Sequence, residues 1–64
     1  MYIQQGPNII NLDCIDYMNK YMSHEILFVF NEHERFFTFV SKEIRDQAFE
    51  KISKEIVTLH FPGE

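Results

Sequence analysis

The sequence predicts an α+β fold, a four-stranded antiparallel β-meander with one C-terminal α-helix packed on one face. The first observation is a pair of strand-like apolar runs, Ile26–Phe30 and Phe36–Val40, separated by a short polar turn. The second is the segment that follows, where apolar residues recur at helical spacing behind a serine suited to capping. Consecutive antiparallel strands with short turns form a meander, and an amphipathic helix covers one face of it.

The individual elements follow from local patterns. Gly6-Pro7-Asn8 predicts the first turn, because glycine allows positive φ and proline fixes its own φ. The segment 14–22 fits a helical and a strand period, and the alternation of Tyr17 and Tyr21 favours a strand. Ser41 is the predicted N-cap of a helix whose apolar stripe is Ile44, Ala48, Phe49, Ile52 and Ile56. The predicted single domain has strands at about 1–5, 9–21, 26–31 and 35–40, a helix at about 42–57 and a tail at 58–64.

The hairpin formed by the two apolar runs is apolar on both of its faces. A loop of two or four residues centred on His33-Glu34 pairs Phe30 with Phe37 and Phe28 with Phe39. A loop of three or five residues would mix the two faces. In the first register one face carries Ile26, Phe28, Phe30, Phe37 and Phe39. The other face, which we predict to be an interface, carries Leu27, Val29, Phe36, Thr38 and Val40.

One helix can cover only one face of this sheet. The other face therefore predicts a homo-oligomer, a dimer or higher, or a different protein partner. The strand Phe36–Val40 also lacks the lysine or proline that often protects an edge, so edge-to-edge pairing is a second route to a dimer. The alternative is that the N-terminal segment folds over this face, or that the sheet curls into a partial barrel.

Length and composition favour the same conclusion. A chain of 64 residues buries only about 60% of its unfolded surface, and such small domains often depend on disulfides, metals or oligomerisation. Cys14, which we expect to be buried, is the only cysteine, so an internal disulfide is excluded. A net charge of −4 disfavours nucleic-acid polymers and anionic membranes as partners. With no signal-peptide pattern and no long apolar run, we expect a cytoplasmic protein.

The sequence contains no pattern that specifies a reaction. His24, His33 and His60 lack the spacing of a helical metal pair, and two glycines cannot form a Gly-rich phosphate loop. We therefore expect no enzyme, no cofactor and no metal site. A small nucleotide-like ligand at a subunit seam is an alternative, and the residues suited to bind it are Tyr17, Tyr21, Arg35 and Arg45.

The segment Ile10–Ile15, the two apolar runs and Ala48–Ile56 together resemble short bacterial and phage proteins. These proteins have an antiparallel β-meander followed by one C-terminal helix. The resemblance implies an accessory protein that acts by stoichiometric binding, either blocking a host protein or sequestering a small molecule. A structural subunit of a larger assembly is a further alternative.

Overall fold

The computed structural model describes residues 1–56, which form five strands and one α-helix. The α+β class, with antiparallel strands and a helix after the last strand, is confirmed. The single four-stranded meander is wrong, because the strands form a two-stranded and a three-stranded sheet. The predicted tail at 58–64 lies outside the described residues. The elements are β1 (Tyr2–Gln5), β2 (Asn8–Asn11), β3 (Tyr17–Tyr21), β4 (Glu25–Phe30), β5 (His33–Thr38) and α1 (Lys42–Lys54).

The predicted strand at 9–21 is broken by a short 3₁₀ turn at Leu12–Cys14. Asn11 precedes this turn, and its side chain accepts a hydrogen bond from the backbone N–H of Asp13 at 3.0 Å. The Leu12 side chain is buried in the core, which fixes the point where the chain leaves the first sheet. Local capping by asparagine therefore competes with strand pairing here and separates β2 from β3.

The turn between β4 and β5 lies earlier in the chain than the sequence predicted. Asn31 and Glu32 form it, and their φ angles of 50° and 66° match a two-residue hairpin turn of type I′. His33 consequently belongs to β5 and pairs with Phe30, while Phe28 pairs with Arg35. The predicted pairs with Phe37 and Phe39 are wrong. The register differs from the predicted one by an even number of residues, so each side chain stays on its predicted face.

The two faces of the three-stranded sheet have different surroundings. The covered face contains Ile26, Phe28 and Phe37, which are buried together with residues of the N-terminal strands. The Phe28 and Phe37 rings meet edge to face with centroids 4.9 Å apart. The helix, the β1–β2 hairpin and the 3₁₀ turn all pack on this side, through Ile3, Ile10, Leu12, Ala48, Phe49 and Ile52.

Helix α1 begins as predicted and ends earlier. The Ser41 hydroxyl accepts a hydrogen bond from the backbone N–H of Ile44 at 3.2 Å, which confirms the N-cap. The helix ends at Lys54, and the backbone N–H of Glu55 bonds back to Ile52. Ile44 is exposed, contrary to its place in the predicted stripe, because Arg45 occupies the buried position beside it.

Candidate functional site

The opposite side of the three-stranded sheet is the candidate site, and we call it the aromatic face. The strand register places the side chains of Tyr17, Tyr21, Leu27, Val29 and Phe36 on this side. Tyr17, Tyr21 and Phe36 are 51%, 41% and 36% exposed. Aromatic side chains that are partly exposed and close together are typical of interaction surfaces.

A ring contact organises the centre of the aromatic face. The Tyr21 and Phe36 rings have centroids 5.1 Å apart, although their strands lie on opposite sides of β4. The rings therefore meet above β4, where Leu27 pairs with Phe36 and is only 8% exposed. Leu27 is thus shielded by side chains of its own sheet, and it is not part of the main core cluster.

No second layer covers the aromatic face within residues 1–56. The N-terminal hairpin, which could have folded over it, packs on the covered face through Ile3 and Ile10. Thr38 belongs to the aromatic face at the end of β5, and Val40 lies beyond the strand with its side chain exposed. The predicted interface residues, apart from Val40, therefore share one side of the sheet. That they form an interface stays a prediction.

Arg45 is a structural anchor between the helix and the sheet. Its side chain is 3% exposed, and Nη1 donates to the backbone carbonyls of Glu25 at 2.8 Å and Tyr21 at 3.3 Å. Its Nε donates to Oδ1 of Asp46 at 2.7 Å. This hydrogen bond is the main reason that the pKa of Asp46 lies below its ordinary value, and Lys20 lowers the pKa further. The bonds to the two carbonyls and the Lys20–Asp46 ion pair join α1 to the β3–β4 hairpin.

The four predicted ligand-binding residues do not converge on one pocket. Tyr17 and Tyr21 share the aromatic face, whereas Arg35 projects from the opposite side of β5. The Arg35 guanidinium lies 6.0 Å from the centroid of the Phe30 ring and donates to the Glu34 carbonyl at 2.8 Å. Arg45 is buried beneath the sheet. The tyrosines alone thus remain candidates for contact with a ligand on this face.

The β5 edge of the sheet is capped by side chains at two places, the backbone of Thr38 and the carbonyl of Glu34. Gln5 Nε2 donates to the Thr38 carbonyl at 2.9 Å, and Gln5 Oε1 accepts from the Thr38 N–H at 2.9 Å. The Gln5 amide therefore occupies the place of a neighbouring strand, and Arg35 engages the Glu34 carbonyl further along the same edge. This protection could not be predicted, because Gln5 lies 33 residues from Thr38 and no local pattern connects the two.

No other strand of residues 1–56 pairs with the outer edge of β3. Along an antiparallel strand, the backbone N–H and C=O groups of successive residues point alternately toward one neighbouring strand and the other. Those of Thr38 point away from β4, and when the pairing is followed across β4 to β3, those of Asn19 point toward β4. The backbone groups of Met18 and Lys20 then point outward, away from the sheet. The two edges thus differ in one respect: β5 has an amide cap at Thr38, and no described residue caps Met18 or Lys20 on β3 in this way.

Two open grooves lie between β3 and α1. Their volumes are about 390 and 410 Å3, and Phe49 and Ser53 line both. Neither His24 nor His33 lines them. Residues 1–56 contain no group of three His, Cys, Asp or Glu side chains placed to hold a metal ion. Cys14 is exposed rather than buried as predicted, and its Sγ accepts from Asn11 Nδ2 at 3.4 Å.

Comparisons with protein-family models, curated proteins and solved structures found no match to this chain. Among the described residues, none of the helical segments has the length and apolarity needed to cross a bilayer.

Proposed function

We propose that this chain is a small non-enzymatic binding protein that works as a homo-oligomer and binds a protein partner through its aromatic face. The version that we favour is an accessory inhibitor of the phage type, which blocks a host protein by stoichiometric binding. The single observation that supports this proposal is the set of exposed rings of Tyr17, Tyr21 and Phe36 on one face of a sheet whose other face packs against α1 and the N-terminal hairpin.

The composition of the aromatic face suits a protein partner better than a small molecule. Protein interfaces are enriched in tyrosine and phenylalanine at their centre and are polar at their rim. Here Asn19, Glu25 and Glu34 surround the exposed rings on the same side of the sheet. Small-molecule sites are usually concave, and neither Tyr21 nor Phe36 lines the two grooves beside α1.

Matched surface variants test this proposal. The first variant combines Tyr17→Ser with Phe36→Ser on the aromatic face. The control combines Tyr2→Ser with Ile9→Ser, which removes two residues that are 69% and 60% exposed on the N-terminal hairpin. Each protein is immobilised and presented to host lysate, and the captured proteins are identified by mass spectrometry.

We expect the unmodified protein and the control to retain the same captured protein in equal molar amount, and the aromatic-face variant to lose it. Circular dichroism establishes that both variants are folded. Equal capture by the two folded variants would contradict the proposal, because the contact would then lie elsewhere.

A further inference from the structure

We propose that two copies of this chain join along their β3 edges to form one six-stranded antiparallel sheet. In this arrangement Tyr17 pairs with Tyr21 of the partner subunit, and Asn19 lies on the two-fold axis. This inference rests on the proposed function, because it locates the seam of the homo-oligomer. It differs from both routes predicted from the sequence, which used the second face of the hairpin and the β5 edge.

The first argument is the contrast between the two edges. Thr38 on β5 already has both of its backbone groups bonded to the Gln5 amide. On β3, the outward groups of Met18 and Lys20 have no such cap among the bonds of the described residues. An edge with unpaired donors and acceptors is a template for another strand, and a second copy of the chain supplies one.

The second argument is that β3 is complementary to itself. The strand Tyr17–Tyr21 has Asn19 at its centre, and the outward residues Met18 and Lys20 flank this centre symmetrically. Full antiparallel overlap of two such strands places Met18 opposite Lys20 of the partner subunit. Both residues present their backbone groups outward, so each such pair exchanges both of its hydrogen bonds. This is the register that uses the whole length of both strands.

The third argument concerns charge. The chain has a net charge of −4, so two copies repel each other at long range. The strand β3 itself contains no acidic residue, and Lys20 is its only charged one. The Lys20 ammonium lies 3.4 Å from Asp46 Oδ1 and 5.5 Å from the centre of the Phe49 ring. Its charge is thus already paired within the chain, so the seam does not bring two free ammonium groups together.

The seam also extends the aromatic face. Tyr17 of one copy and Tyr21 of the partner subunit form a non-hydrogen-bonded pair, the kind of pair in which cross-strand side chains lie closest. Because Tyr21 already contacts Phe36 in each copy, the dimer forms rows of three aromatic rings that cross the seam. The partner subunit therefore completes the binding surface, and each copy alone presents only part of it.

Cross-linking tests the seam at its axis. Asn19→Cys is made in a Cys14→Ser background, which removes the single native thiol. Across a non-hydrogen-bonded pair the two Cα atoms lie about 4.5 Å apart, which a disulfide can span. We expect this variant to form covalent dimers about tenfold faster under mild oxidation than the exposed control Glu34→Cys in the same background. Equal rates would overturn the seam.

Charge variants give an independent test at the same position. Asn19→Lys and Asn19→Asp each place like charges opposite each other on the axis, and we expect both to be monomers of 7.7 kDa by light scattering. An equimolar mixture should recover a heterodimer, because opposite charges then meet. A dimer that resists both charges and does not cross-link would refute this seam and leave the homo-oligomer intact. A monomeric unmodified protein would refute the seam and the homo-oligomeric part of the proposed function together.

Discussion

The two faces of the three-stranded sheet contain similar amounts of apolar side chain but differ in how much of it is buried. Ile26 and Phe28 on the covered face are completely buried beneath α1 and the N-terminal hairpin. Tyr17, Tyr21 and Phe36 on the aromatic face remain substantially exposed. In the described part of this short chain, the elements that could cover the three-stranded sheet all pack on one side of it. Apolar residues thus stabilise the fold on one face and stay partly exposed on the other.

Equivalent truncations on the two faces should have the largest difference in effect. Phe28→Ala removes a fully buried ring, and we expect the free energy of unfolding to fall by about 3–5 kcal/mol. Phe36→Ala removes a ring that is 36% exposed, and we expect a loss of about 1–2 kcal/mol. Urea denaturation measures both values. Similar losses for the two variants would mean that the faces are equally buried in solution.

Arg45→Met tests the attachment of the covered face to its helix. The substitution keeps an apolar stem but leaves the carbonyls of Tyr21 and Glu25 without their buried donor. We expect the free energy of unfolding to decrease by about 2–4 kcal/mol. Lys42→Met, at an exposed position on the same helix, is the control and should change stability little. A tolerated Arg45→Met would show that the guanidinium contributes packing alone.

Gln5→Ala tests the difference between the β5 and β3 edges of the three-stranded sheet. Loss of the amide exposes both backbone groups of Thr38 and should lower stability by about 1 kcal/mol. The opened β5 edge should also promote assembly beyond the dimer, which light scattering as a function of concentration detects. Gln4→Ala, whose side chain bonds only to the Gly6 carbonyl, is the matched control. Equal behaviour of the two variants would exclude the amide as an edge cap.

The smallest predicted effect concerns Asp46 and pH. Its pKa in the folded chain lies below the ordinary value of 3.8, mainly because Arg45 donates to it. The carboxylate therefore stabilises the fold fully above that ordinary value, and the contribution disappears as the pH falls through the lower, folded-state pKa. We expect the stability of Asp46→Asn to decline less steeply with acidification than that of the unmodified protein. Parallel pH profiles in urea denaturation would contradict this linkage.

Much of the fold could be predicted because its signals are local. Alternation assigned the apolar side chains of β4 and β5 to the correct faces, and Ser41 marked the start of the helix. The hairpin register could not be read, since the turn lacks an Asn-Gly pair and places Glu32 at a positive φ of 66°. The 3₁₀ turn at Leu12–Cys14 depends on the Asn11 side chain, and competition between capping and strand pairing has no clear periodic signature.

The candidate site was predictable to a similar extent. Leu27, Val29, Phe36, Tyr17 and Tyr21 were each identified from the sequence, but as members of two separate sites. The structure places them on one face because β3 and β5 flank β4, which is a long-range property of the sheet order. Arg45 gave a signal by lying within the apolar stripe of the helix, although its partners are carbonyl groups 20 and 24 residues away.

The most direct test of the asymmetry compares one acidic substitution on each face of β4. We expect Val29→Asp, on the aromatic face, to fold cooperatively with a loss of about 1–2 kcal/mol in urea denaturation. Ile26→Asp places a carboxylate in the fully buried core and should abolish the cooperative transition. If Val29→Asp also failed to fold, the aromatic face would be buried within the chain itself, and the account would be contradicted.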